Sequence, residues 1–387
     1  MTAVYTSANL RYLAKARTLA ESVRRHNPDT TLYLVLVDPV PNDLRRGIED
    51  SSEPFDHVLT PEDLDIPDRD SWIFQHDVVE ACTAVKAAAL MHLFEDRSED
   101  QVLYLDPDIV VFSPLDPLFA HLNTSSILLT PHCPSAENDP ELIIRNEISS
   151  LAHGTYNLGF LGIAASEEGR RFASWWRKRL HHFCHDDKPR GLFTDQRWID
   201  LVPGQFEGVK ILRSPVYNAA TWNITRRTVS GTPSGELLVD GQPLCFYHFS
   251  GVQDPKTLGV KAYPGINTPN VTKLIQWYLT RCEQNGEAEC REAEWHYARY
   301  DNGRPIMNSH RVYYRSDPEL QQRFPHPFAD GPHSFYGWLT SAEGPGLRHV
   351  ERLYGQPINV LQQQSAQLFR IEQFLLYRFY LWLRQYI

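Results

Sequence analysis

The sequence predicts an α/β fold with a mixed, mainly parallel sheet flanked by helices, on three observations. Between residues 3 and 38 a short apolar strand, a helix-spaced segment and the β-branched run TLYLVLVD follow one another, the strand–helix–strand order of a parallel unit. Further on, QVLYLDPDIVVF has an uncharged core that suits a central strand buried on both faces. From about residue 290 the chain turns to RYDNGRPI, HRVYYR and RFPHPF, which predicts a C-terminal extension that is mainly helical or irregular.

Each element follows from its own pattern. From Leu10 to His26, Leu13, Ala16, Leu19, Ala20 and Val23 fall at helical spacing, with Asn9 placed as a cap and Pro28 just beyond the end. A polar, proline-punctuated stretch (39–71) precedes a helix from about Val78 to Phe94. YNLGFLGIA (156–164) and PLCFYHFSG (243–251) read as strands. Between them SEEGRRFASWWRKRLHHF reads as a helix capped by Ser166, with Glu167 and Glu168 in the first turn, where the helix dipole favours negative charge. Gly169 at the third helical position excludes a full capping box. The pattern divides the chain into an α/β domain (1–265) and an extension (266–387). The extension ends in a segment where Leu368, Ile371, Leu375, Phe379, Trp382 and Leu383 share one face, with Arg370, Arg378 and Arg384 among the others. That amphipathic helix either docks on the core or a partner subunit, as in dimerisation, or makes peripheral membrane contact.

Composition narrows the function. The chain of 387 residues carries 38 basic against 48 acidic side chains, a net charge of −10, which speaks against nucleic acid as a partner. A negatively charged ligand therefore needs a local basic pocket or a metal. The six cysteines lack paired close spacings and read as reduced thiols. The start MTAVYTSANL lacks a basic segment followed by an apolar one. The expected location is cytoplasmic, or peripheral at the inner face of the membrane.

The chemistry centres on Asp106 and Asp108. Two carboxylates at i and i+2 in an extended segment project to one side, and Pro107 between them restricts the backbone. Divalent cations take such oxygen ligands and complete their shells with water and phosphates. The same residues also serve as the turn that ends a buried strand. Position favours the chelate, because ligands of α/β sheets sit at the carboxyl ends of strands. His248, in CFYHFSG, ends another candidate strand, and an imidazole joining two carboxylates suits manganese better than calcium. Thr6, Ser7, Asn9 and Asp38 fall where a nucleotide would lie. HHFCHDD (181–187) invites a zinc reading, but without a second ligand pair at recognisable spacing it is read as a solvated helix end.

Taken in order, YTSANLRYLAKARTLAESV, EACTAVKAAAL, LYLDPDIVVF, YNLGFLGI, TDQRWIDLVP and YHFSG resemble the nucleotide-sugar glycosyltransferases of the GT-A type, nearest to family 8 and its bacterial relatives. The resemblance covers roughly residues 1 to 260. It implies that Asp106, Asp108 and His248 hold Mn²⁺ or Mg²⁺ on the diphosphate of a nucleoside-diphosphate sugar. It places Thr6, Ser7, Asn9 and Asp38 at the nucleotide, Lys86 at the ribose or diphosphate, Gly251 in the histidine motif, and Asn157, Asp195 and Gln196 beside the reacting sugar. YNAATWNITRR adds Asn218, Trp222 and Asn223. The family's diphosphate lysine stands three residues after the motif glycine, whereas Lys256 stands five after Gly251. The acceptor expected is a glycan, a lipid-linked saccharide or a protein, in bacterial surface polysaccharide or glycoconjugate synthesis. Two other readings are a sugar nucleotidyltransferase, against which TSANLRYLAKAR lacks the glycines that grip a triphosphate, and a non-catalytic carbohydrate-binding protein.

Overall fold

The computed structural model describes residues 1–252 and 269–354. Lys256 and the amphipathic segment from 365 onward lie outside them. Two compact units emerge, one of residues 1–72 and 78–296, the other of 73–77 and 297 onward.

The first unit is built on a seven-stranded sheet. Its strands are β1 (Thr2–Ala8), β2 (Thr31–Leu36), β3 (His57–Leu59), β4 (Gln101–Leu105), β6 (Ile127–Leu129), β7 (Phe160–Ala164) and β8 (Val209–Ile211), in the spatial order β8-β6-β7-β4-β1-β2-β3. All pairings are parallel except those of β7, which runs antiparallel to both β4 and β6. The mixed, mainly parallel sheet expected from the sequence is therefore present. Gly162 makes the antiparallel insertion fit: a Cβ there would lie 3.0–3.1 Å from the side chains of Leu128 and Leu103 on the flanking strands.

Helices α1 (Leu13–His26), α2 (Val78–Glu95) and α3 (Glu167–Phe183) flank the sheet. The apolar stripe of α1 enters the same core as Leu34, Leu36, Leu103 and Leu105. α2 owes its close seat to alanines at 81, 84, 87 and 89, all buried. Ser166 caps α3 as its position predicts, its hydroxyl accepting the Gly169 N–H at 3.1 Å. Asn9 does not cap α1. The segment opens with a 3-10 turn, Leu10–Tyr12, where the Asn9 side chain makes no capping bond and Asp38, at the end of β2, accepts the Leu10 N–H at 2.9 Å. Asp38 also accepts the His296 N–H at 2.8 Å, so both oxygens of this buried carboxylate hold backbone.

QVLYLDPDIVVF is two strands rather than one. After β4 the chain turns at Asp106–Pro107–Asp108, closed by the Ile109 N–H on the Asp106 carbonyl at 3.0 Å, and Pro107 offers no N–H to continue a ladder. β5 (Ile109–Val111) then leaves the main sheet for a second one, with β9 (Ala219–Ala220) and β10 (Phe246–His248) in the order β9-β10-β5. β5 and β10 are antiparallel, with Ile109 opposite His248. Helix α4 (Pro269–Gln284) belongs to this first unit, since Val271, Leu274, Ile275 and Tyr278 share a core with Tyr247 and Phe249.

The second unit is helical in its described residues. Asn308–Ser316, Pro318–Arg323, Phe335–Thr340 and Leu347–Tyr354 surround Phe74, Tyr300, Tyr314, Phe324, Phe335, Leu339 and Val350. The arginines and aromatics of that region close this small core: Arg311 donates to the Phe74 carbonyl at 3.2 Å. Among the described residues no helix is long and apolar enough to cross a membrane.

Candidate metal and donor site

The turn between the two sheets aims both carboxylates at one point. Asp106 and Asp108 flank the proline, and the antiparallel pairing of β5 with β10 brings His248 opposite the residue after Asp108. His248 Nε2 lies 3.0 Å from Asp108 Oδ1 and 3.7 Å from Asp106 Oδ2. One ligand atom from each of the three lies within 4.8 Å of the others, a spacing that suits one metal ion.

The imidazole is held from behind. Its Nδ1 lies 3.1 Å from Asn157 Oδ1, and that amide oxygen also accepts the Gly159 N–H at 3.1 Å and the Asn218 Nδ2–H at 2.9 Å. An oxygen engaged by two fixed donors orients the amide, so His248 presents an Nδ1–H to it. With Nδ1–H fixed in this way, Nε2 is the nitrogen that faces the carboxylates, as an N–H toward Asp108 or, once deprotonated, as a lone pair for a cation. Burial by itself would lower the His248 pKa; the Asp108 and Asp106 carboxylates outweigh it and raise it. The donor set therefore fits a divalent cation, with two oxygens and one imidazole nitrogen.

Gly159 makes room for this ring. A Cβ there would lie 2.3 Å from His248 Cε1 and 2.5 Å from Nδ1. Asn157 and Gly159 stand in the turn before β7 and not within the strand, which begins at Phe160.

A second charge network adjoins the first. Lys86, projecting from mid-α2, lies 2.8 Å from Asp195 Oδ2 and 3.3 Å from Asp106 Oδ1, and donates to the Leu158 carbonyl at 3.3 Å. Its ammonium stands 4.1 Å over the Tyr104 ring, whose hydroxyl donates to Asp106 Oδ1 at 2.5 Å. Burial would lower the lysine's pKa, but the two carboxylates raise it, so it is a fixed cation. Burial raises the pKa of Asp195, opposed by Lys86. Thr194, with φ +44°, occupies the left-handed region that a β-branched residue seldom enters. Its hydroxyl donates to Asp195 Oδ1 at 3.0 Å.

Gln196 is engaged at both ends. Its Oε1 accepts the Leu158 N–H at 3.0 Å and its Nε2 donates to the His153 carbonyl at 3.0 Å. Asn223 braces the loop from Asn218, and Trp222 lies edge-on to His248 at 5.2 Å. Thr6 and Ser7 are buried at the end of β1; the Ser7 hydroxyl bonds to Tyr104, while Thr6 Oγ1 has no hydrogen-bond partner. Gly251 adopts φ +73° in the turn after β10.

Asp106, Asp108, His248, Asn157, Asp195, Gln196 and Lys86 thus form one connected cluster. Sequence reasoning missed Tyr104, Thr194 and His132. Tyr104 had a signal, because period two puts it on the same side as Asp106. His132, whose Nε2 accepts from Asn157 Nδ2 at 3.1 Å, had none. The histidines at 181, 182 and 185 form no metal cluster among the described residues.

No family model matches the chain. It is similar to the galactosyltransferase LgtC, solved in complex with donor and acceptor sugar analogues, over 73% of this chain and 96% of that one, at TM-score 0.46 and 15% identity. It is also similar to the glycosyltransferase GlyE of Streptococcus pneumoniae TIGR4, over 76% of this chain and 65% of that one, at TM-score 0.43 and 16% identity. In sequence it is 29% identical to the uncharacterized protein YfnD of Bacillus subtilis strain 168 over 245 residues, 62% of this chain and 74% of that protein. It is 29% identical to the uncharacterized YfnF of the same strain over 179 residues, 45% of this chain and 57% of that protein. Structural likenesses this loose carry no residue assignments, which come from the side chains themselves.

Proposed function

We propose that the chain is a divalent-metal-dependent glycosyltransferase that moves a sugar from a nucleoside-diphosphate sugar to a glycan, lipid-linked or protein acceptor, in the assembly of bacterial surface polysaccharide or glycoconjugate. The observation that carries this reading is the convergence of Asp106, Asp108 and His248 on one point, with the far nitrogen of the imidazole held by Asn157. Such a set binds a cation that keeps open positions for phosphate oxygens.

A bound Mn²⁺ or Mg²⁺ would neutralise the charge that gathers on the departing nucleoside diphosphate. The chain's own residues arrange the rest. Asn157 fixes the tautomer of His248. Lys86 keeps Asp106 and Asp195 at a set separation and balances their charge in a buried place. Gln196, with both polar ends occupied, ties the Asp195 segment to the turn before β7. Asp195 supplies negative charge where positive charge develops on the sugar. The nucleotide would lie at the first βα turn, where Thr6 Oγ1 awaits a partner and Asp38 organises the backbone.

Isothermal titration with UDP and with GDP, in the presence and absence of Mn²⁺, tests the reading. Binding of at least one nucleotide that requires the metal is expected, followed by slow hydrolysis of one member of a sugar-nucleotide panel. Failure of every nucleoside diphosphate to bind with the metal would reject it.

A further inference from the structure

Among the described residues, the site set out above offers no free cation for a diphosphate. Lys86 is committed to Asp106 and Asp195. Another lysine nearby is not committed. Lys15, on the first turn of α1, is 6% exposed, and its ammonium stands 4.0 Å over the Tyr12 ring. Among the described residues it has no hydrogen-bond acceptor and no ion-pair partner, in contrast to the buried Lys86. An ammonium on a largely buried side chain, with no protein acceptor among the described residues, is placed to meet one that a ligand brings.

The packing of α1 on β5 places Lys15 beside the metal cluster. The Val111 N–H donates to Ser22 Oγ at 3.0 Å, and the Leu115 N–H to Asn27 Oδ1 at 2.8 Å, so helix and strand run side by side in the same direction. Lys15 precedes Ser22 by two helical turns, which sets it on the same face about 10 Å nearer the helix start. Asp108 stands in the turn just before β5, three residues from Val111 and so up to about 10 Å back along the strand. The two displacements coincide. In keeping with this, the Lys15 charge lies within electrostatic reach of the Asp108 carboxylate.

We infer that Lys15 is the protein cation that meets the diphosphate oxygens of the donor beside Asp108. The inference rests on the nucleotide-sugar reading of the site. It gives the first helix a direct part in holding the leaving group, where the sequence pointed to Lys86 and Lys256. With a cation held by Asp106, Asp108 and His248, the Lys15 ammonium would be left to the phosphate oxygens.

The role makes two expectations of opposite sign. In Lys15→Met, affinity for the nucleoside diphosphate with Mn²⁺ falls by about tenfold or more, the range for losing a charge-assisted hydrogen bond. Affinity for Mn²⁺ alone, read by electron paramagnetic resonance of the free ion, stays the same or tightens, because a repelling charge has gone. Uridine or guanosine, which lack phosphate, bind as to wild type, and Lys15→Arg keeps part of the diphosphate affinity. If Lys15→Met does not fold, Lys15→Gln carries the same expectations. A folded charge-removed variant that binds the diphosphate as wild type does would overturn the inference. So would parallel loss of Mn²⁺ and diphosphate, which would make Lys15 a support for Asp108 only. Wild-type protein that binds no nucleoside diphosphate at all fails the proposed function itself, before Lys15 is in question.

Discussion

Gly159→Ala tests whether His248 is held where a metal needs it. The added methyl would sit 2.3 Å from His248 Cε1, where ordinary contact begins at 3.4 Å, so ring or strand must give by about 1 Å. The ring is ill placed to retreat. It is buried, with Trp222 edge-on at 5.2 Å and Asn157 Oδ1 at 3.1 Å from Nδ1, and the methyl would also press on that oxygen at 2.8 Å. The displacement therefore breaks the bond that sets the tautomer and moves Nε2 off the carboxylates. Losing the hydrogen bond that orients a metal-binding imidazole lowers metal affinity by about 10- to 100-fold, while overpacking costs stability of about 1–3 kcal/mol. Titration calorimetry with Mn²⁺ measures the first effect and thermal melting the second. Gly162→Ala is the control: its Cβ would meet Leu128 and Leu103 side chains at 3.0–3.1 Å, so it should lower the melt while leaving Mn²⁺ affinity intact. Unchanged Mn²⁺ affinity in a folded Gly159→Ala protein would refute the assignment, as would an equal loss in Gly162→Ala.

Other expectations follow from the same geometry. Asp108→Asn removes a ligand while keeping the shape of the turn, so Mn²⁺-dependent nucleotide binding should vanish from a protein whose apo form still melts cooperatively; retained metal-dependent binding would reject Asp108 as a ligand. Lys86→Met leaves the buried Asp195 carboxylate without its cation and should destabilise by about 3–5 kcal/mol, of which Lys86→Met/Asp195→Asn recovers a part in denaturant melts. His132 is buried and neutral, its pKa lowered to about 4 by desolvation, so between pH 6.5 and 4 the unfolded chain binds a proton that the folded one does not. Stability should therefore be full above that window and fall by about 3 kcal/mol as pH drops through it, a slope that His132→Gln removes in urea melts.

Much of the fold was legible because it is local. The stripe on α1, the alanines of α2, the Ser166 cap and the apolar runs of β2 and β4 express propensity and burial within a few residues of chain. The α/β class followed from their order. Errors fell where distant chain decided the outcome. Asn9 has the composition of a cap, but Asp38 reaches the Leu10 N–H from the next strand. YNLGFLGIA has strand composition throughout, yet Asn157 and Gly159 form a turn because Asn157 Oδ1 gathers Gly159, Asn218 and His248.

By itself the sequence placed Asp106 and Asp108 around a proline at the end of a buried strand; the segment between them is a turn, closed by the Ile109 N–H on the Asp106 carbonyl, and not the extended stretch that period two assumes. Only the tertiary structure decided what they face. Proline ends the ladder, β5 crosses to a second sheet, and antiparallel pairing with β10 carries in His248, 91 residues from the Asn157 that orients it. It also separated two lysines of the same composition. Lys86 is spent on Asp106 and Asp195, while Lys15 has no acceptor among the described residues, because a side chain's partners are set by which elements pack together and not by its neighbours along the chain.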